Sequence, residues 1–227
     1  MKHQELREEV AKVARDMISS GLVTGTSGNV SARTGDGNFL ITPSGLDYPV
    51  LEPEDVVLVD PDGELLEGDL APSTETPMHT GIYRSRPEVG GIVHTHSKFS
   101  TTLACLGWEI PTVHYMLAVL SDENRVPIAP YATYGTEELA RRASEALGES
   151  HRVCLLRNHG TIAVGEGPEK AFSLTVTLED MAEIYYRARL VGEPILLDEE
   201  QMAQVSAKIH DYGQSKPAPS SAGRDDT

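Results

Sequence analysis

Two pairs of short apolar runs in the first third of the chain are each joined by a tight turn that contains glycine. The first pair, Val30 to Arg33 and Phe39 to Thr42, flanks a Gly-Asp-Gly turn, and the second, Val56 to Val59 and Glu64 to Leu66, flanks a Pro-Asp-Gly turn. A turn this short reverses the chain, so the strands on either side can only pair antiparallel. The chain must therefore build a sheet with substantial antiparallel content.

Helical patterns alternate with these strands and with later ones. Apolar residues recur at helical spacing and predict helices over residues 4–17, 75–84, 136–147, 171–190 and 198–212. Further strand-like runs cover residues 91–96 and 153–156. The pattern is typical of the mixed α/β class.

We find no internal repeat and no interior linker long enough to mark a domain boundary, so we expect one domain over residues 1–212. Residues 213–227 are rich in Ser, Pro, Gly and Asp and contain few apolar side chains. Such a composition does not offset the entropy of ordering the chain, so we expect a disordered C-terminal tail.

The chain is strongly acidic, with 35 Asp and Glu against 19 Lys and Arg and a formal net charge of −16. No run of basic residues would attract phosphates, so nucleic acids and anionic membrane surfaces are not expected as partners. The longest apolar stretches, such as Met116 to Leu120, fall far short of the roughly 20 residues that span a bilayer. The N-terminus lacks the pattern of a signal peptide, and we expect a cytoplasmic protein.

The two cysteines, Cys105 and Cys154, are too few for a disulfide framework or a thiolate metal site. Both stand among apolar residues, and we interpret them as reduced cysteines in the core.

Two histidines, His94 and His96, are separated by one residue within a predicted strand. Their imidazoles would point to the same face of the sheet, which suits a divalent transition metal, although a purely structural pair would show the same spacing. Glu75 at a predicted helix start and His159 just after a predicted strand could add two more ligands. Three imidazoles and a carboxylate would make a complete ligand set for a catalytic ion of the zinc type.

His79 lies one helical turn after Glu75. Two roles remain open for it. It could support a metal ligand from behind, or it could lie on the helix surface.

Several turns consist of small residues that carry hydrogen-bond donors. They are Thr26 to Asn29, Ser44-Gly45 and Ser73-Thr74. Backbone N–H groups and hydroxyls at such turns, together with a helix N-terminus, can bind phosphate without a basic side chain. Each segment could also be an ordinary turn or helix cap. Neither a P-loop nor a dinucleotide-binding fingerprint is present, so nucleotide chemistry is not expected.

A series of short motifs in chain order resembles the class II aldolase/adducin family. The resemblance extends from about residue 5 to Tyr212. Its motifs begin at Gly25 (GTSGNVS), Thr42 (TPSG), Pro72 (PSTE), His94 (HTH), His114 (HYM), Pro130 (PYAT) and Asn158 (NHG).

The resemblance implies roles for individual residues. His94, His96 and His159 match metal ligands, and Glu75 matches a carboxylate that binds the metal at rest and acts as acid and base with substrate. Tyr115 matches a tyrosine that reaches into a neighbouring subunit's site. The residues that match a phosphate cradle are Thr26, Gly28, Asn29, Ser44, Gly45, Ser73 and Thr74. Tyr212 matches a further site tyrosine, in a stretch with few motifs.

The resemblance also implies a fold, an assembly and a reaction. The fold would be a single α/β domain, a central, largely antiparallel sheet between helices, in a homotetramer with active sites at subunit interfaces. One divalent ion per subunit, Zn²⁺ first and Mn²⁺ or Co²⁺ as alternatives, would support cleavage of L-fuculose 1-phosphate or a related ketose 1-phosphate. The products would be dihydroxyacetone phosphate and an aldehyde such as L-lactaldehyde. The chain has no lysine in a motif that would suggest a Schiff base.

Other activities on the same scaffold remain alternatives. The residues after Glu75, Thr76 to His79, resemble the branch of pentulose-phosphate 4-epimerases, in which an aspartate stands where this chain has Glu75. A decarboxylase or dehydratase of sugar-acid phosphates would use the same metal set. A noncatalytic adducin-like interaction module would not need that set, and all four ligand candidates are present here.

Overall fold

Eight strands hydrogen-bond into one sheet within residues 1–209, the part of the chain that the computed structural model describes. The strands are β1 (Asn29–Arg33), β2 (Phe39–Ile41), β3 (Val57–Val59), β4 (Leu65–Glu67), β5 (Gly91–Thr95), β6 (Ile128–Ala129), β7 (Val153–Leu156) and β8 (Gly160–Gly165). Their order across the sheet is β4-β3-β2-β1-β5-β8-β7-β6. All neighbours pair antiparallel except β6 and β7, which are parallel.

The two predicted hairpins are confirmed. β1 pairs with β2, with Ser31 opposite Ile41, and β3 pairs with β4, with Val59 opposite Leu65. β4 begins and ends one residue later than the sequence pattern indicated, and the ladder shifts register near Leu58.

The helices cover both faces of the sheet. They are α1 (Gln4–Ser19), α2 (Thr76–Ser85), α3 (Lys98–Leu106), α4 (Leu117–Leu120), α5 (Glu137–Leu147), α6 (Pro168–Val191) and α7 (Glu199–Ile209). The predicted helices are confirmed with small shifts at their ends. The last predicted turn of α7, Tyr212 and the expected tail at residues 213–227 lie outside the described residues.

Alternate side chains along each strand enter two different apolar layers, because successive residues of a strand point to opposite faces. Ile92 of β5 packs with α2 and α5, whereas the next residue, Val93, packs with α1. On β8, Ile162 lies on the α2 and α5 side, and Ala163 packs against α3 and α6. The result is the expected α/β fold with three layers, helices on each side of a largely antiparallel sheet.

Four elements were not predicted from the sequence: α3, α4, β6 and β8. The strand β8 begins and ends with glycine, a residue that disfavours strands, and it forms because β5 and β7 pair with it on both sides. The helix α3 is rich in Ser and Thr, which are weak helix formers. Glu179 of α6 stabilises the first turn of α3 by accepting hydrogen bonds from the backbone N–H groups of Phe99 and Ser100.

The interpretation of both cysteines as core residues is wrong for one of them. Cys154 is a buried free thiol on β7, whereas Cys105 is a free thiol exposed on α3. The inner face of α3 is occupied by Leu103 and Ala104, which turns Cys105 outward.

No helix within residues 1–209 combines the length and the apolar character needed to cross a membrane.

One charged side chain in the described part of the fold, Arg7 of α1, is fully buried. Its guanidinium donates to the carbonyl oxygens of Lys2 and Val56 and to the Glu67 carboxylate on β4. A buried guanidinium is stable only when its donors are satisfied, so Arg7 connects α1 to the edge of the sheet.

We expect Arg7→Ala to lower the free energy of unfolding by about 3 kcal/mol, because it leaves buried carbonyl groups without donors. Lys12→Ala, which removes an exposed ion pair of the same helix, should cost less than about 1 kcal/mol. Urea denaturation followed by circular dichroism measures both values. Equal losses in the two variants would contradict the structural role of Arg7.

Candidate metal centre and active site

The strand β5 carries the first two candidate ligands. It lies between β1 and β8, and His94 stands opposite Asn29 on one side and Ile162 on the other. His94 is fully buried, and His96 follows immediately after the strand ends. Since residues two apart share a face, both imidazoles lie on the side of the sheet that packs against α2.

His159 reaches the same place from the tight turn that joins β7 to β8. Asn158 in this turn adopts a left-handed conformation with φ of 55°. Gly160 follows, and a Cβ atom there would lie 2.3 Å from the Thr95 carbonyl oxygen and 2.7 Å from Cδ2 of His96. The turn can approach β5 this closely because residue 160 has no side chain.

Glu75 comes from the opposite layer, as the residue immediately before α2, and is only 7% exposed. Its Oε2 accepts a hydrogen bond of 3.0 Å from Nδ2 of Asn29. The same oxygen lies 3.0 Å from Nε2 of His94, and Oε1 lies 3.2 Å from Nε2 of His159.

The four predicted ligands therefore converge. One ligand atom from each of Glu75, His94, His96 and His159 lies within 4.8 Å of all the others. Nε2 of His94 is 3.0 Å from Nε2 of His96.

The residues present fit a divalent cation. Nδ1 of His94 donates to the Thr161 carbonyl oxygen over 2.7 Å, so in the neutral ring the lone pair of Nε2 faces the cluster. Oε1 of Glu75 is buried without a hydrogen-bond partner. Imidazole lone pairs and a carboxylate that converge without enough donors are the arrangement that a bound cation satisfies.

The electrostatics of the cluster support the same conclusion. Burial alone would raise the pKa of the Glu75 carboxyl, but the adjacent His94 and His159 imidazoles hold this pKa well below its usual range. Burial, together with the neighbouring His94 and His159, lowers the pKa of His96 to about 4. At neutral pH the carboxylate is ionised and His96 is neutral, which are the forms that ligate metals.

The cluster opens into a cavity of about 350 Å³. Its walls are formed by Thr26, Ser27, Gly28, Asn29, Pro43, Ser44, Gly45, Ser73, Thr74, Glu75, His96, Tyr131, Ala132, Tyr134, Asn158 and His159. None of these lining residues is Lys or Arg. Apart from the Glu75 carboxylate and the His96 and His159 imidazoles, the polar lining consists of hydroxyls, amides and backbone groups next to the N-terminus of α2.

The structure brings all seven residues of the predicted phosphate cradle to this one cavity. The cradle packs directly on β5, since a Cβ at Gly28 would lie 2.7 Å from the His94 carbonyl oxygen. Gly28 has φ of 80° and Gly45 has φ of 74°, conformations that favour glycine.

Tyr115 is not among the residues that line this cavity. It is 50% exposed and lines a separate, mainly apolar cavity with Met116, Met181 and Val205. The single chain therefore does not bring Tyr115 to the Glu75 cluster, and its role across a subunit interface stays a prediction.

Sequence reasoning assigned no role to Tyr131 and Tyr134, which also line the cavity. The available signal was the Pro-Tyr-Ala-Thr motif at residues 130–133, which supported the family resemblance but suggested no chemistry. The segment is held against the cradle, because a Cβ at Gly135 would lie 2.8 Å from the Thr74 carbonyl oxygen.

The two roles left open for His79 are now distinguished by its burial. His79 is 1% exposed and contacts Ser31 and Asn29, so it does not lie on the helix surface. Burial, with a contribution from His94, lowers its pKa to about 3.

The comparisons with known proteins agree with this fold. The family model described as "Class II Aldolase and Adducin N-terminal domain" matches residues 8–186. The chain belongs to this family.

Relatives of known activity are similar over nearly their whole length. The chain is 43% identical to the 5-deoxy-D-ribulose 1-phosphate aldolase of Bacillus thuringiensis, covering 93% of this chain and 98% of that one. It is 37% identical to the L-fuculose phosphate aldolase of Escherichia coli, covering 94% and 98%. A solved structure of an L-fuculose 1-phosphate aldolase superposes with a TM-score of 0.87 at 36% identity, covering 92% of this chain and 98% of that one.

These relatives are named aldolases, which confirms the prediction of a lyase of the class II aldolase type. Class II aldolases depend on a metal, and the Glu75 and histidine cluster could hold one.

We expect Gly160→Ala to lower metal affinity at least about tenfold, because the added methyl group displaces His96 or the Thr95 backbone. Gly35→Ala is the matched control, since a Cβ there meets nothing within 4 Å. Metal titration with elemental analysis measures the affinity, and circular dichroism checks the fold. Unchanged affinity in Gly160→Ala would contradict the close approach of the turn to β5.

Proposed function

We propose that this protein cleaves the C3–C4 bond of a ketose 1-phosphate to give dihydroxyacetone phosphate and an aldehyde. The observation that carries the proposal is the position of the Glu75 and histidine cluster at one end of a cavity whose lining residues include no Lys or Arg. The cluster suits the ketone and hydroxyl oxygens of such a sugar, and the cradle suits its phosphate.

Glu75, His94, His96 and His159 would hold one divalent ion, with Zn²⁺ as the first candidate and Mn²⁺ or Co²⁺ as alternatives. A bound ion of this kind supplies a Lewis acid that stabilises the negative charge left on the ketose half when the bond breaks. No lysine lies at the cavity to supply a Schiff base instead.

The cradle would bind the phosphate through hydroxyls and backbone N–H groups. Thr26, Asn29, Ser44, Ser73 and Thr74 contribute donors, while Gly28 and Gly45 let the backbone approach the ligand. The N-terminus of α2 adds the positive end of its dipole next to Thr74. An anionic substrate can thus bind to a chain with a net charge of −16.

Two side chains would move protons. Glu75 would exchange a proton with C3 of the ketose half, because it lines the cavity next to the histidines that would hold the ion. Tyr115 of a neighbouring subunit would exchange a proton with the oxygen of the departing aldehyde. This role requires the homotetramer with interfacial sites that the family resemblance implies.

The phosphate half of the substrate is better defined than the aldehyde half. Two relatives named for 5-deoxyribulose 1-phosphate are 43% and 45% identical to this chain and a third is 38% identical, and those named for fuculose phosphate are 37% to 40% identical. We therefore propose 5-deoxy-D-ribulose 1-phosphate, its 5-methylthio analogue and L-fuculose 1-phosphate as the first substrates to test. All would release dihydroxyacetone phosphate.

The first test is a coupled assay for dihydroxyacetone phosphate with these three ketose 1-phosphates. We expect release that depends on added metal and is abolished by a chelator, and the ratio of kcat/KM values ranks the aldehyde halves. Metal-loaded protein that releases none from any of them would overturn the proposal. Epimerised substrate or released carbon dioxide would then identify the epimerase or decarboxylase alternatives, and a failure to bind metal would favour the interaction module.

A subunit-mixing experiment tests the roles of Glu75 and Tyr115 together. Glu75→Gln should bind metal but lose activity by a factor of about 10² or more, and Tyr115→Phe alone should also be nearly inactive. If Tyr115 acts on its neighbour's site, refolding the two variants together at equal concentration should restore about a quarter of the wild-type activity, because one site in four then contains both native residues. No recovery in verified mixed oligomers would contradict action between subunits.

A further inference from the structure

A chain of buried hydrogen bonds leads away from Glu75 into the interface between β1 and α2. It runs through Asn29 and Ser31 of β1 and through His79 and Tyr83 of α2. All four side chains are at most 3% exposed. His79, Ser31 and Tyr83 do not line the cavity, so they cannot touch a substrate there.

The spacing of the two elements brings these side chains into register. Glu75, His79 and Tyr83 are each four residues apart and rise about 6 Å per step along the helix axis. Asn29 and Ser31 are two residues apart on one strand face and rise about 6.6 Å. The similar rise lets side chains of the strand and the helix alternate along the interface.

The donors and acceptors of this chain can be assigned in only one direction. Nδ2 of Asn29 donates to Oε2 of Glu75 over 3.0 Å, so the other amide atom, Oδ1, must be an acceptor. Nε2 of His79 faces this Oδ1 and must therefore donate to it.

The hydrogen-bond chain continues through the histidine ring. Nδ1 of His79 contacts the Ser31 hydroxyl at 2.6 Å, and the neutral ring accepts from it. The Ser31 oxygen in turn accepts from the Tyr83 hydroxyl at 2.8 Å. Each of the four side chains donates one hydrogen bond to the next group towards Glu75, and His79 carries a single ring proton on Nε2.

The hydrogen-bond chain holds the Glu75 carboxylate in one orientation. The Asn29 amide cannot rotate, because a rotated amide would point Oδ1 at the carboxylate and Nδ2 at the Nε2 proton of His79. Oε2 is thus held, and Oε1 is the oxygen left without a hydrogen bond. The orientation of the carboxylate depends on a histidine that lies wholly behind the site.

We propose that His79 is a positioning residue that locks the Asn29 amide through its Nε2 proton and thereby fixes the orientation of the Glu75 carboxylate among the histidines at the end of the cavity. The proposal rests on the proposed function, since it assigns the effect of this lock to proton transfer by Glu75. Its loss should lower kcat by a larger factor than it raises KM, because Asn29 also belongs to the phosphate cradle, while metal content stays close to wild type.

The test uses two matched pairs of variants. His79→Leu removes both ring nitrogens at similar volume, whereas His79→Gln can still donate from near the position of Nε2. Ser31→Ala removes the hydroxyl that donates to His79. Ser100→Ala removes an equally buried hydroxyl that donates to Glu179 on the other side of the sheet, at 2.7 Å.

In the metal-loaded enzyme we expect His79→Leu to lower kcat about 10- to 100-fold and to raise KM by a clearly smaller factor. His79→Gln should recover part of this loss. Ser31→Ala should lower kcat about three- to tenfold, and Ser100→Ala should leave it unchanged even if the melting temperature falls equally in both. The proposal would be overturned if His79→Leu lost bound metal and stability and its KM rose as much as kcat fell, with no rescue by glutamine. Equal kcat values in the two serine variants would also overturn it.

A second measurement does not depend on turnover. Nitrogen NMR of the metal-free protein labelled with ¹⁵N-histidine should show His79 as the neutral tautomer with its proton on Nε2. The Nδ1 resonance should shift in Ser31→Ala and not in Ser100→Ala. A proton on Nδ1 or a charged ring would overturn the assignment. Inactivity of the wild type on every ketose phosphate, with this tautomer observed, would instead reject the proposed function and leave the hydrogen-bond chain intact.

Discussion

The pairing of β5 with β1 on one side and with β8 on the other is the interaction on which the candidate site depends. It places His94 opposite Asn29, the residue that holds Glu75, and next to the turn that carries His159. Gly160 allows this turn to approach β5 so closely that no side chain would fit between them. The geometry of the candidate metal ligands therefore derives from backbone hydrogen bonds at the centre of the sheet, and a site built on strands is held more precisely than one built on loops.

The chemistry proposed for the site also explains its unusual electrostatics. A cavity for a phosphorylated sugar would ordinarily be expected to carry lysine or arginine side chains, but the described lining residues include neither. Positive potential can come instead from a bound cation, from backbone N–H groups and from the N-terminus of α2. These sources are local, so they act on a bound ligand without changing the strongly acidic surface of the chain.

Much of the fold could be predicted because its signals are local. Short turns predict the two hairpins, and apolar residues at helical spacing predict α1, α5 and α6. The elements that were missed have weak local signals and form through tertiary contacts, as when β5 and β7 enclose the glycine-ended β8. Cys105 was misassigned for a related reason, since apolar sequence neighbours do not decide which face of α3 is turned inward.

The sequence by itself determined the donor set: two histidines separated by one residue at the end of a strand, a glutamate before a helix, a histidine in a turn and a group of small hydroxyl residues. Only the tertiary structure decided that these groups meet, because strand pairing between distant segments sets their distances. It also decided that His79 is buried behind Asn29 and that Tyr115 lies outside the cavity of its own chain. Spacing along one helix or strand indicates which side chains share a face, but what that face meets depends on how β1, β5, β8 and α2 pack together.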